Sequence, residues 1–185
     1  MVAKRILLSL LIGGMVLSGC SQAGTAAKNP SEEAVITVLT HEFTGPDKEF
    51  IQIKEELQNK MIEQKTSVLQ NDDPKLKEYN AYMNKTYEAY FSEKGYSRFK
   101  PFAFGYHFLG GEYEMEIKTS QLKKQTENPD TYAFVLEVDY QTDKGEEKEF
   151  EVIGTATVAS EGKIEQLDID EDEGLKLQIQ KDSYQ

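Results

Sequence analysis

Near residue 100 the spacing of apolar side chains changes from about 3.6 residues to about two, and this shift divides the chain into a helical part and a strand part. Before it, three stripes fall on helical faces: Ile36, Leu39 and Phe43 with Val35 beside them; Phe50, Ile53, Leu57 and Met61; and Leu76, Tyr79, Met83, Tyr87 and Tyr90. After it, Tyr113, Met115 and Ile117 alternate with Glu112, Glu114, Glu116 and Lys118, and Tyr132, Phe134, Leu136, Val138 and Tyr140 alternate with Glu137 and Asp139. Clean alternation gives each strand one dry and one wet face, so the sheet is antiparallel and covered on one side only. Helices laid across that dry face complete an α+β core.

Local signals place the element ends. Ser31 is an N-cap candidate followed by Glu32 and Glu33, and Asp47 and Asp73 are placed to cap the next two helices, the latter with Pro74 at the first helical position. His41 points away from the first stripe, and Gly95 is expected to stop the third helix. In the second half, Phe102, Phe104, Tyr106 and Phe108 read as a first strand, returned by a Gly110-Gly111 hairpin into residues 112–118. A polar loop over about 120–130 leads to a strand through Tyr140, and Asp143-Lys144-Gly145 turns into a strand over 149–158. Glu161-Gly162 turns again into 163–169, and Leu175, Leu177 and Ile179 offer a short sixth strand. The expectation is a sheet of five to six strands, with a bend or bulge at Gly154.

The start of the chain is of another kind. Lys4 and Arg5 precede an apolar run from Ile6 to Val16, and Leu17-Ser18-Gly19-Cys20 ends it with the sole cysteine. The run is too short for a membrane span, which needs about 20 residues, and has the order of a secretory signal. Leu17-Ser18-Gly19-Cys20 resembles the lipobox of bacterial lipoproteins. That resemblance implies cleavage before Cys20, attachment of a diacylglyceryl group to it, and a protein held on the extracytoplasmic face of a cell membrane. The expected organisation is a signal peptide over 1–19, a flexible linker over 20–30, and one α+β domain over 31–185. An ordinary signal peptide with a chance cysteine is the plainer reading.

Losing residues 1–19 removes two basic side chains and moves the formal charge from −12 to −14. Such a charge repels phosphate backbones and anionic head groups, so nucleic acid is no expected partner and the lipid does the holding. With Cys20 lipidated, no thiol remains for a disulfide, a thiolate metal site or a nucleophile.

Three amphipathic helices followed by a strand meander is similar to the nuclear transport factor 2-like, or cystatin-like, fold, as in small Gram-positive lipoproteins. The phrase from His41 to Glu49 resembles segments of those proteins. The resemblance implies helices filling the concave side of a curved sheet, a cone. It also implies that enzymes of this superfamily would carry an acid or histidine dyad inside the cone. Here strand parity gives interior positions to aromatic and aliphatic side chains and puts His107 and Asp139 on the solvent side, where they converge only if a bulge shifts the parity. No G-x-S-x-G, H-E-x-x-H or phosphate loop occurs, and two histidines make no zinc site. The stretch from Asp168 to Gly174 has glycine seventh, not sixth, and Ile179 where a calcium loop has glutamate, so it reads as a solvated acidic turn between strands, with weak divalent-cation binding as the alternative and no cofactor or metal assigned.

Tyr79, Tyr87, Tyr90, Tyr106, Tyr113, Tyr132 and Tyr140 all project from core faces. Either they fill the core with hydroxyls reaching its rim, or Tyr87, Tyr106 and Tyr113 line a pocket for a small neutral or amphipathic ligand. The function expected is a non-enzymatic module binding an unknown protein or small molecule at the membrane surface. A small-molecule enzyme and a structural homo-oligomer are the alternatives.

Overall fold

A computed structural model describes residues 29–107, 112–142 and 144–183. The signal, Cys20, most of the linker, Phe108, Gly110-Gly111 and Asp143 lie outside the described residues. Five α-helices and four strands follow in order: α1 Pro30–Phe43, α2 Lys48–Glu63, α3 Pro74–Tyr87, α4 Glu93–Phe99, β1 Tyr113–Lys124, β2 Thr131–Thr142, β3 Glu147–Val158, β4 Ile164–Glu171 and α5 Leu175–Ser183. The class is α+β, with an open antiparallel sheet in the order β1-β2-β3-β4. No helix among the described residues is long and apolar enough to cross a membrane.

The helices start where their caps dictate. Asp47 accepts the N–H of Phe50 at 2.9 Å and Asp73 that of Lys75 at 2.8 Å, as expected of both. The first cap is Asn29, two residues before Ser31; its side chain accepts the N–H of Ser31, and Pro30 takes the first turn. α1 buries Val35, Val38, Leu39 and Phe43, and touches both edge strands of the sheet. α2 and α3 pack on one another and send Phe50, Met83 and Tyr87 into the common core. The third helix ends at Tyr87 and passes into a 3₁₀ turn over Glu88–Tyr90.

Three departures from the periodic reading have definite causes. Gly95 lies inside α4, where a side chain would meet the backbone of β4: a Cβ there would stand 3.0 Å from Glu165 Cα. It serves close packing, not helix termination. The aromatic alternation from Phe102 is a run of turns, not a strand, with Phe104 at φ 55° in the left-handed region. Leu175 and Ile179 are both buried while Leu177 is 71 % exposed, the i, i+4 pattern of the short helix α5 in place of a sixth strand.

Among the described residues the sheet therefore has four strands, not five or six. β1 runs on to Lys124 through the expected loop, because a register shift between Ile117 and Thr119 inserts Lys118 as an extra residue and inverts the parity: Ile117 faces the core before it and Leu122 after. Gly154 sits beside a register shift, and its backbone passes so close to the Asp168 carbonyl and the Phe134 ring that only glycine fits.

Candidate functional site

The turns over 101–107 are organised by one carboxylate. Glu42 falls three residues after Leu39 and seven after Val35, so the α1 stripe carries it inward, and it is 5 % exposed. Its Oε1 accepts the Tyr87 hydroxyl at 2.7 Å and the Phe104 N–H at 2.7 Å, and its Oε2 accepts the Gly105 N–H at 3.0 Å. Two successive N–H groups can converge on one anion only if the backbone leaves the extended conformation, which is why this alternating stretch is no strand. Burial pushes the Glu42 carboxyl up to about 7, while the Tyr87, Phe104 and Gly105 donors and the Lys176 charge pull it back.

His107, expected at the solvent side, is 1 % exposed. Its Nδ1 accepts the backbone N–H of Asp47 at 2.8 Å, so the proton of the neutral ring is on Nε2, which donates to the Glu42 carbonyl at 3.2 Å. Burial lowers its pKa to about 4. Both nitrogens are engaged with backbone, and neither meets Asp139, whose carboxylate lies 3.7 Å from the Lys118 ammonium on the other face of the sheet. No base-and-orienter pair forms between His107 and Asp139. His41, expected to point outward, is half-buried with its ring edge-on to Tyr87.

Beside Glu42 opens a groove of about 820 Å³. Its walls are Arg98 and Phe99 of α4, Phe102, Gly105 and Tyr106 of the turns, Lys176 of α5, and β4 with its continuation over 165–172. Gly95 brings α4 close enough to β4 to form it. Tyr106 packs against Phe43 with the rings tilted and their centroids 4.5 Å apart, carries the Lys176 ammonium 5.5 Å over its ring, and donates its hydroxyl to Asp172 at 3.0 Å. Burial and the Asp172 carboxylate raise the Tyr106 pKa well above the usual phenol range. Phe102, at the groove, is 74 % exposed.

The three tyrosines assigned to a pocket separate. Tyr106 lines the groove, Tyr87 stands behind it with its hydroxyl on Glu42, and Tyr113 lines a different hollow near Gly45, while its hydroxyl donates to the Tyr106 carbonyl at 2.7 Å. Asp168 to Glu171 belong to β4, and Asp172 accepts the Gly174 N–H at 2.9 Å ahead of α5. Among the described residues no cluster of histidine, aspartate and glutamate is arranged to hold a metal. The signal that would have found the site is Glu42 itself, a charged residue inside an apolar helical stripe. No family model, no curated protein and no solved structure matches this chain.

Proposed function

We propose that the protein is a lipid-anchored, extracytoplasmic binding module that takes its ligand in the groove between α4, α5 and β4, and that it performs no covalent chemistry there. The observation that carries this reading is the groove itself, about 820 Å³ and lined by Phe99, Phe102 and Tyr106 together with the carboxylates of β4, a concave site of ligand-pocket size with apolar and polar walls. The titratable groups behind it hold structure: Glu42 collects three donors and His107 two backbone groups. Contact of α1 with both edge strands supports the cone-like curl of the cystatin-like fold.

Anchoring rests on Lys4, Arg5, the apolar run and Leu17-Ser18-Gly19-Cys20. Two acyl chains give stable attachment, since each buried CH₂ contributes about 0.8 kcal/mol. Expression in a bacterial host with radiolabelled palmitate tests it. Label is expected on the wild-type chain in the membrane fraction and on none of the Cys20→Ala chain. An unlabelled wild-type protein in the cytosol would remove the anchored reading.

A further inference from the structure

We propose that the groove is a strand-addition site: an extended, cationic segment of another protein pairs with the free edge of β4, as a fifth strand. This rests on the binding-module reading above and names its ligand. Residues 165–172 all line the groove, although alternate side chains of a strand point to opposite faces. What successive residues share is their backbone edge, so the edge itself faces the channel. β4 ends the sheet order, and its outer side is bridged only at Ile164, where Phe91 pairs in parallel and the Ser92 N–H donates to the Ile164 carbonyl at 3.0 Å. The chain thus already uses the first position of this edge for a strand-like contact and lays Gly95 of α4 against Ile164 and Glu165, and it leaves the edge from Gln166 onward without a strand partner among the described residues.

Charge and shape select the occupant. Glu165, Asp168, Asp170, Glu171 and Asp172 stand along the edge against Arg98 and Lys176. A segment with a lysine or arginine at every second position sets its cations against these carboxylates and its apolar side chains against Phe102 and Tyr106. Self-pairing of β4 would place carboxylate opposite carboxylate, which opposes a second copy. The register shifts that leave Glu165 and Asp170 as extra residues twist the two ends, leaving Gln166 to Ile169, about 13 Å, as the regular pairing edge.

The test is fluorescence anisotropy of the full chain in neutral detergent with a labelled octapeptide alternating lysine and valine. Parallel titrations use the same peptide N-methylated at alternate residues and one with glutamate for lysine. Binding of the lysine peptide is expected, with at least about tenfold loss on N-methylation, which deletes edge hydrogen bonds but no charge, and no binding of the glutamate peptide. Phe102→Ser and Asp170→Lys, both at exposed positions, should each weaken binding severalfold, and Glu114→Lys in the distant hollow should not. Equal binding of the N-methylated peptide, equal loss in Glu114→Lys, or no binding at all overturns the proposal. So does self-association of the chain that Phe102→Ser abolishes, since a second copy would then cover the edge. Because the readout needs no lipid, failure of palmitoylation and failure of this site are separate results.

Discussion

His107 Nδ1 accepts the N–H of Asp47 at 2.8 Å, so a side chain from the turns after α4 holds the first residue of the α2 cap. Its neighbour Glu42 sits on the other ring nitrogen through its carbonyl, and the two groups titrate in opposite senses. Between about pH 4 and 6.5 the unfolded chain binds a proton at His107 that the folded chain excludes, so this contribution is complete above pH 6.5 and lost as pH falls toward 4. Glu42 keeps its proton up to about pH 7 when folded and releases it near 4.5 when unfolded, so its contribution is complete below 4.5 and lost as pH rises through 7. Each is on the order of 3 kcal/mol, and over their common window the slopes largely cancel.

Single variants unmask each slope. In urea melts between pH 4.5 and 7, His107→Gln should lose stability as pH rises, and Glu42→Gln should gain it. Glu42→Gln should also cost about 1–3 kcal/mol at pH 7, because an amide N–H facing the Gly105 N–H leaves that donor unmet. Parallel pH profiles for the two variants would contradict the opposed assignment.

Gly95→Ala separates helix propensity from packing. Alanine favours a helix interior by about 1 kcal/mol over glycine. A methyl at 95 nevertheless runs into the Ile164 carbonyl and stands 3.0 Å from Glu165 Cα, both of them backbone. The variant should lose about 1–3 kcal/mol by chemical denaturation, since overpacking outweighs propensity. A stabilised variant would mean α4 does not press on β4 in solution.

Sequence patterns read well where a period persists and poorly where a single polar contact interrupts it. The stripes of α1 to α3, the Asp47 and Asp73 caps, and the alternation of β2, β3 and β4 were legible because each signal is local. The strand-like aromatic run from Phe102 misled because the Glu42 carboxylate, more than sixty places away, gathers the Phe104 and Gly105 N–H groups. The register shift at Lys118 hid the second half of β1, since parity inverts across it. Leu175, Leu177 and Ile179 fit either period over so short a stretch. Of the candidate site, Tyr106 was visible and Glu42 was overlooked, while the groove depends on the approach of α4 to β4, which no local pattern encodes.

Asp47 and Tyr82 should act as one unit. Asp47 Oδ1 caps the Phe50 N–H and Oδ2 accepts the Tyr82 hydroxyl at 2.8 Å, and burial followed by this carboxylate raises the Tyr82 pKa. Tyr82→Phe is expected to cost about 1 kcal/mol and Asp47→Ala about 2 kcal/mol. The double variant should lose little more than Asp47→Ala alone, because Tyr82 has no partner to lose once Asp47 is gone. Additive losses in the four denaturation curves would show that the hydroxyl draws nothing from this bond.

Lys118 governs the wet face of the sheet. Glu116, Asp139 and Glu149 stand in register across β1, β2 and β3, a row of like charges that opposes pairing. The extra residue in β1 swings Lys118 over that row, where it pairs with Glu149 and lies 3.7 Å from Asp139 Oδ1, an atom shielded from water and without a hydrogen bond. Lys118→Ala should therefore lower the melting temperature more than Lys123→Ala does, and Lys118→Arg should restore it. Because the repulsion is screened at a few ångströms in 1 M salt, the deficit of Lys118→Ala should shrink when sodium chloride rises from 0.02 to 1 M. A deficit unchanged by salt would assign the effect to packing of the lysine stem and not to its charge.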